Sequence, residues 1–343
     1  MENYCDGWDE FRRALTITRK SFLKKLNPRN GLPILKELSV KMIDQSQFEL
    51  ASLCYMEMSV IYNDLGDILH EKEALFEASR LISLGYSNSN QGFIRIEPFL
   101  LHRLEEVYVK IAELSLRAKF IQTIGVILLE LACKFMDIDC YDISFEYLIR
   151  VLKYLKSDFY YRKLIFDKVI ICLDNSKSLA SDLSDFSSIF LSYIKTENLN
   201  GILKEKMVEI ELKLVLLHLK QYSEDWEMRS RSVLSNYLNS EGHKTLMNKA
   251  DLILVTSLIN SYQKRDFVKL IFIFHSQFWH KLDDYGRRLM ANVIERTRPS
   301  AGVLHEELEV VLKSDMTGLE RRKKMIEWYK TVKVKNITTY QTL

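Results

Sequence analysis

A chain of 343 residues with 47% hydrophobic and 28% charged residues is long enough to bury a large core and too apolar to be disordered throughout. A formal charge of +3 is too small to point to nucleic acid. Five cysteines (Cys5, Cys54, Cys133, Cys140, Cys172), odd in number and without a Cys-x-x-Cys pair, argue against a disulfide framework and for a reducing, cytosolic setting. Glycine (11) and proline (4) together make up about 4% of the chain, against about 12% in average usage. Sheets and tight turns consume those residues and long helices do not, so helix is favoured before any pattern is read.

The opening Met1–Asp6 is polar, with no apolar signal core behind it. Apolar residues then recur at steps of three and four nearly everywhere. Phe48, Ala51, Tyr55, Met58, Tyr62 and Leu65 predict one helix, and Leu50, Cys54 and Ile61 give it a second apolar line. Gly66-Asp67 closes that helix and caps the next, which Gly85 is expected to end. Residues 86–96 read as a loop, and Glu97-Pro98 opens another helix with proline in its first turn. Stripes through Leu100–Leu114, Ile121–Phe135, Phe145–Leu155, Val208–Tyr222, Leu252–Tyr262 and Phe267–Phe278 follow. Residues 176–185 read as a second loop, and Thr297–Gly302 as a break before a basic helix near 319–333 and a polar tail.

Helices apolar on two sides and joined by short connections predict stacked antiparallel hairpins. Pairs near 47–84, 99–136 and 139–173 suggest units of about 35–40 residues. The expected fold is an all-α, right-handed, tetratricopeptide-like solenoid over residues 1–302, with a helical, basic extension over 303–343. The longest apolar runs, 120–129 and 252–263, fall short of the ~18–20 residues that span a bilayer. A cytoplasmic protein with no direct membrane insertion is expected.

No phosphate loop, nucleophile elbow, zinc-helix or calcium-loop motif is present in the sequence. His275 and His280, five apart, lie off a common helical face and read as ordinary histidines rather than metal ligands. The pairs Asp137/Asp139 and Asp283/Asp284 sit where helix N-caps are wanted. Cys133 and Cys140 read as core residues, and Asn336-Ile-Thr338 is an idle glycosylation match without a secretory signal. No catalytic, cofactor or metal site is expected, and the chain reads as a non-enzyme.

Surface features remain. Arg12, Arg13, Arg19, Lys20, Lys24, Lys25 and Arg29 form a run without an acid, and Arg321, Arg322, Lys323 and Lys324 form another. Such runs serve either as solvated helix faces or as docking sites for an acidic protein surface, where charge steers encounter. No aromatic platform accompanies them for nucleic acid. The stretch Phe267–Trp279 is more aromatic than one helix face needs; Phe278 or Trp279 is a candidate anchor in a partner groove.

Several segments together resemble the family of the forty-kilodalton huntingtin-associated protein, also described as the factor VIII intronic transcript family. They are Lys20-Ser-Phe-Leu-Lys-Lys-Leu-Asn27, Leu75-Phe-Glu-Ala-Ser-Arg-Leu-Ile82, Glu97-Pro98 before a long helix, Leu128-Leu-Glu-Leu-Ala132, and Trp279-His-Lys-Leu282 with Thr297-Arg-Pro-Ser300. The order is collinear over residues 8–302, though no single motif is specific. The resemblance implies a solenoid lodged between the HEAT-repeat arms of huntingtin, early-endosome association through a Rab-type GTPase, and a possible nuclear fraction. The region 176–203 is short and proline-free, unlike the Pro-rich insertion of better-known members, and some forty residues run past the family's usual end. A soluble-attachment-protein-like trafficking adaptor, binding coiled-coil bundles through a charged concave face, is the rival expectation.

Overall fold

The computed structural model describes residues 7–18, 28–90, 98–155, 159–176, 180–196, 199, 201–221, 227–238, 245–274 and 280–297, with 320, 323, 324 and 327. Among these the fold is all-α, with fourteen α-helices packed sequentially and antiparallel and no strand. The chain divides into two compact units, Met1–Ile165 and Phe166–Leu343.

In the first unit α1 (Gly7–Thr18), α2 (Gly31–Asp44), α3 (Phe48–Asp64), α4 (Ile68–Asn90), α5 (Pro98–Arg117), α6 (Ile121–Asp137) and α7 (Tyr141–Tyr154) each pack on the next, from α1 through α7. The turns that reverse the chain share one construction. After α2, the Ser46 N–H donates to the Ile43 carbonyl and the Gln47 N–H to that of Met42. The same pair of bonds recurs at Gly66 and Asp67, at Lys119 and Phe120, and at Asp139 and Cys140. These are Schellman closures, which satisfy the last carbonyls of a helix by placing one residue in the left-handed region. That residue is Ser46 (φ 58°), Gly66 (φ 72°), Lys119 (φ 62°) or Asp139 (φ 60°).

Ser46 and Lys119, and likewise Gly66 and Asp139, are 73 residues apart. Burial repeats at the same offset. Ala51, Cys54, Met58, Ala74, Leu75 and Ala78 are buried, as are Ile124, Ile127, Leu131, Tyr147, Leu148 and Val151. Small residues keep the helices close: Ser52 and Ser59 in α3 are matched by Gly125 and Ala132 in α6. The buried serines return their hydroxyls to carbonyls three residues back, Ser52 to Glu49 and Ser59 to Met56, each at 2.7 Å, so nothing polar is stranded. At Gly125 an added Cβ would lie 2.6 Å from Leu155 Cγ. Tyr108 and Tyr147 reach from the core to the carboxylates of Glu130 (2.8 Å) and Glu105 (2.5 Å), and Tyr147 stacks on Phe135.

Part of the sequence reading is corrected. Gly85 does not end its helix: α4 continues to Asn90, because Tyr86 is buried beyond it and Gly85 leaves room for the start of α3, with Phe48 Cβ 3.6 Å from the position a Cβ would take. Residues 86–90 are therefore helical, and so are 180–185, the front of α9. Asp139 does not cap α7; it occupies the left-handed turn and accepts from the Tyr141 hydroxyl at 2.8 Å. Cys133 and Cys140 are half-buried, while Cys54 and Cys172 are the buried thiols.

The second unit is organised around one helix. Beyond α8 (Phe159–Asn175), whose later turns belong to it, come α9 (Ala180–Thr196), α10 (Gly201–Lys220), α11 (Glu227–Leu238), α12 (Lys249–Gln263), α13 (Phe267–Phe274) and α14 (Asp284–Glu295). Every residue of α10 from Met207 to Leu219 is buried, and α10 packs against α9, α11 and, far along the chain, α14. Phe166 is met edge-on by Phe186, Phe190 and Tyr193 at 5.5–5.6 Å between ring centres. The Schellman closure returns between α12 and α13, with Arg265 (φ 52°) in the left-handed position.

A non-glycine residue in the left-handed region costs about 1 kcal/mol. Lys119→Gly should therefore raise stability by about that amount, whereas Gly125→Ala should lower it by about 1–3 kcal/mol through overpacking. Urea midpoints of the purified chain check both; an unmoved midpoint for Lys119→Gly would mean that this turn holds no strain.

Candidate interaction surface and buried charge cluster

Of the candidate partner-binding residues, Arg12 and Arg13 lie on the exposed side of α1, opposite the buried Phe11 and Ala14. Arg12 reaches Asp9 at 3.8 Å, and Glu10 ties the helix to Lys41 of α2 at 2.6 Å. Lys323 and Lys324 are helical and exposed. Lys20, Lys24, Lys25, Phe278, Trp279, Arg321 and Arg322, with His275, lie outside the described residues; His280 is exposed. Neither basic run is brought whole to one place by the described residues.

A different surface in the first unit was missed. Antiparallel packing puts the α3–α4 turn, the α5–α6 turn and the end of α7 at the same end of the unit. Leu69 (65% exposed), Leu116, Phe120 (62% exposed), Ile121 and Tyr154 all lie there, open to solvent. Exposed apolar residues are ordinary when scattered; gathered at one end of a stack they mark an interaction site. Arg117 and Lys119 stand among them, both exposed. The helical stripes did not reveal this end because Ile121 carries the stripe's spacing and yet points away from the core.

The second unit holds a buried ion cluster. Lys213, only 1% exposed, donates from Nζ to Asp167 Oδ1 and Asp283 Oδ2, both at 2.7 Å, and Glu209 Oε1 lies 2.9 Å away. Burial works against the ammonium charge, but the three carboxylates, Asp167 foremost, more than offset it and hold Lys213 above its ordinary range. Asp283, itself the N-cap of α14 through a 2.7 Å bond from the Gly286 N–H, links a helix start to this cluster, so the capping role expected of it is found together with an ionic one. Two turns on, Lys220 pairs with Asp174, which also accepts from the Tyr285 hydroxyl. The carboxylates of Asp167, Glu209 and Asp283 converge closely enough to surround a cation, and the Lys213 ammonium lies among them.

Two further buried groups on α10 face opposite demands. Glu211 accepts from the Tyr237 hydroxyl (3.1 Å), the Thr245 hydroxyl (2.7 Å) and the Leu246 N–H (3.1 Å); burial nonetheless pushes its carboxyl up to about 7. His218, 2.9 Å from the Ser187 hydroxyl, is pushed down to about 4 by burial. No helix among the described residues is long and apolar enough to cross a membrane.

No protein-family model matches the chain, and no curated protein matches it.

Two predictions rest on α10. Lys213→Met strands three carboxylates and should cost about 3–5 kcal/mol, measured by urea unfolding at pH 7, with partial recovery as the medium is acidified. The second concerns pH. Folded Glu211 keeps its proton to about pH 7, whereas the unfolded group releases it near 4.5, so its contribution to stability falls as pH rises across that window. Folded His218 stays neutral down to about pH 4, whereas the unfolded ring takes up its proton near 6.5, so its contribution rises with pH from about 4 to 6.5. Each amounts to about 3 kcal/mol over its full span, and between pH 4.5 and 6.5 they cancel. Glu211→Gln should uncover the rising slope and His218→Gln the falling one; two variants with parallel profiles would refute the opposition.

Proposed function

We propose that this chain is a non-catalytic binding subunit that covers its apolar end with a large helical-repeat protein, and that the partner is a huntingtin-like HEAT-repeat solenoid. The observation that carries the reading is the gathering of Leu69, Leu116, Phe120, Ile121 and Tyr154 at one end of the first unit, where association would remove apolar area from water. The nearby Arg117 and Lys119 suit an acidic rim on the partner, with Arg12, Arg13, Lys323 and Lys324 as further steering charges. The sequential antiparallel packing and the 73-residue recurrence of turns and buried positions support a tetratricopeptide-like, right-handed solenoid as the finer description of the fold. The collinear segments from Lys20 to Ser300 support the choice of partner and, through it, a cytoplasmic role at early endosomes linked to a Rab-type GTPase.

The test is affinity purification of the tagged chain from cytosol, beside a Leu69→Asp/Phe120→Asp double variant. The wild type should retain a HEAT-repeat protein in a long-lived complex. The variant should lose at least tenfold of it while unfolding at the same temperature, since both side chains are already in water. Reversible capture of a coiled-coil bundle would favour the trafficking-adaptor reading instead, and a monomer with no partner would overturn the proposal.

A further inference from the structure

Glu211 is fully buried, and three pieces of the second unit meet at its carboxylate. Oε1 accepts from the Tyr237 hydroxyl of α11 at 3.1 Å and from the Thr245 hydroxyl at 2.7 Å, and Oε2 accepts from the Leu246 N–H at 3.1 Å. Thr245 Oγ1 in turn accepts from the Met247 N–H at 3.1 Å. Residues 245–247, which lead into α12, are thus tied to α10 through this carboxylate. The same segment helps to wall a cavity of about 600 Å³ beside the front half of α10, to which Leu246 and Asn248 contribute together with Lys204 and Asp251. Three donors aimed at two carboxylate oxygens suit an anion. A proton on the carboxyl adds a fourth donor to a cluster of donors. On Oε2 it would face the Leu246 N–H, which can only donate; on Oε1 it would oblige Thr245 or Tyr237 to turn its own hydrogen away. Either way at least one bond is lost, and the others lose the assistance of charge, which makes such bonds roughly twice as strong.

Burial acts the other way, against the charge, and the contest leaves the carboxyl at about 7. Charged groups on the neighbouring helices are engaged elsewhere. Asp167 of α8 and Asp283 at the start of α14 are bonded to Lys213, Ser187 of α9 lies against His218, and Asp251 of α12 is paired with Lys281. Tyr237 and, on α10 itself, Lys204 are the titratable groups that act on Glu211; burial keeps Tyr237 protonated well beyond neutral pH. We propose that Glu211 is a proton-operated latch: ionised, it holds residues 245–247 against α10; protonated, it releases them and opens that side of the cavity. The latch belongs to the second unit alone, and it stands or falls independently of the partner proposed for the first.

Its signature is local order that moves against global stability. As pH rises from 6 to 8 the latch closes, whereas the contribution of Glu211 to the stability of the whole fold declines up to about pH 7. Hydrogen–deuterium exchange of the full chain, read at the Leu246 and Met247 amides and corrected for intrinsic rates, tests this. Protection should rise by about fivefold or more between pH 6 and 8, with a midpoint at about 7. Glu211→Gln, with a permanently neutral amide, should exchange fast and without that pH dependence. Thr245→Val removes one donor to the anion, so the midpoint read at Leu246 should move to higher pH; this variant keeps the carboxylate and decides the matter even where Glu211→Gln unfolds. The latch is overturned by protection that is flat or falls with pH, that rises equally in Glu211→Gln, that keeps its midpoint in Thr245→Val, or that changes in parallel with the amides of α12.

Discussion

Reversing a helix within three residues, at turns where glycine is not supplied, forces an L-residue into a backbone conformation that L-residues resist. Ser46, Lys119, Asp139 and Arg265 all accept that conformation, and each is compensated by two hydrogen bonds that would otherwise be missing from a helix end. The rest of the first unit follows. Tight closures oblige α3, α4, α6 and α7 each to lie against its predecessor. That contact requires small residues such as Ser52, Gly125 and Ala132 along the seams, and the fixed turn length brings the same face inward again 73 residues later. At the α3–α4 and α5–α6 turns the closures are this short, and Leu69 and Phe120 beside them stand in water.

The second unit meets a different constraint. A helix buried on every side has no polar face left to present to solvent, and α10 nevertheless carries Glu209, Glu211, Lys213 and His218 within its buried stretch. Each is accommodated locally: Lys213 among carboxylates from α8, α10 and the start of α14, Glu211 by three donors, and His218 by remaining neutral. Replacing such groups with apolar ones often preserves stability, whereas removing a single partner does not. The network therefore fixes which helices adjoin α10 more than it adds to the strength of their contact. Asp283 illustrates this, since one carboxylate both starts α14 and pins it to Lys213.

The striped helices α3, α5, α6, α7, α10, α12 and α13 were legible because apolar spacing survives any tertiary context, and so were the turn at Gly66-Asp67 and the start at Pro98, where residue type and backbone agree. Turns at Ser46, Lys119 and Arg265 were not legible, since nothing in serine, lysine or arginine announces a positive φ. Gly85 misled for the complementary reason: it serves helix–helix approach and ends nothing. The stripe Val208–Tyr222 was legible but the burial of the intervening Glu211 and Lys213 was not, because periodicity describes one helix and burial depends on how many neighbours surround it. The ion cluster joins Asp167, Lys213 and Asp283 across 70 residues and more, a distance over which one sequence carries no pairing information.

Cys54 and Cys172 are sealed, one in each unit, and burial pushes the Cys54 thiol up to about 12, so it stays protonated and unreactive in neutral solution. A modifying reagent reaches either sulfur only when the surrounding helices part. In a background where Cys5, Cys133 and Cys140 are replaced, the rate of capture at Cys54 times the opening of the first unit and that at Cys172 times the second. The chain thus carries two internal clocks, by which the cooperativity of its halves becomes a measurable quantity.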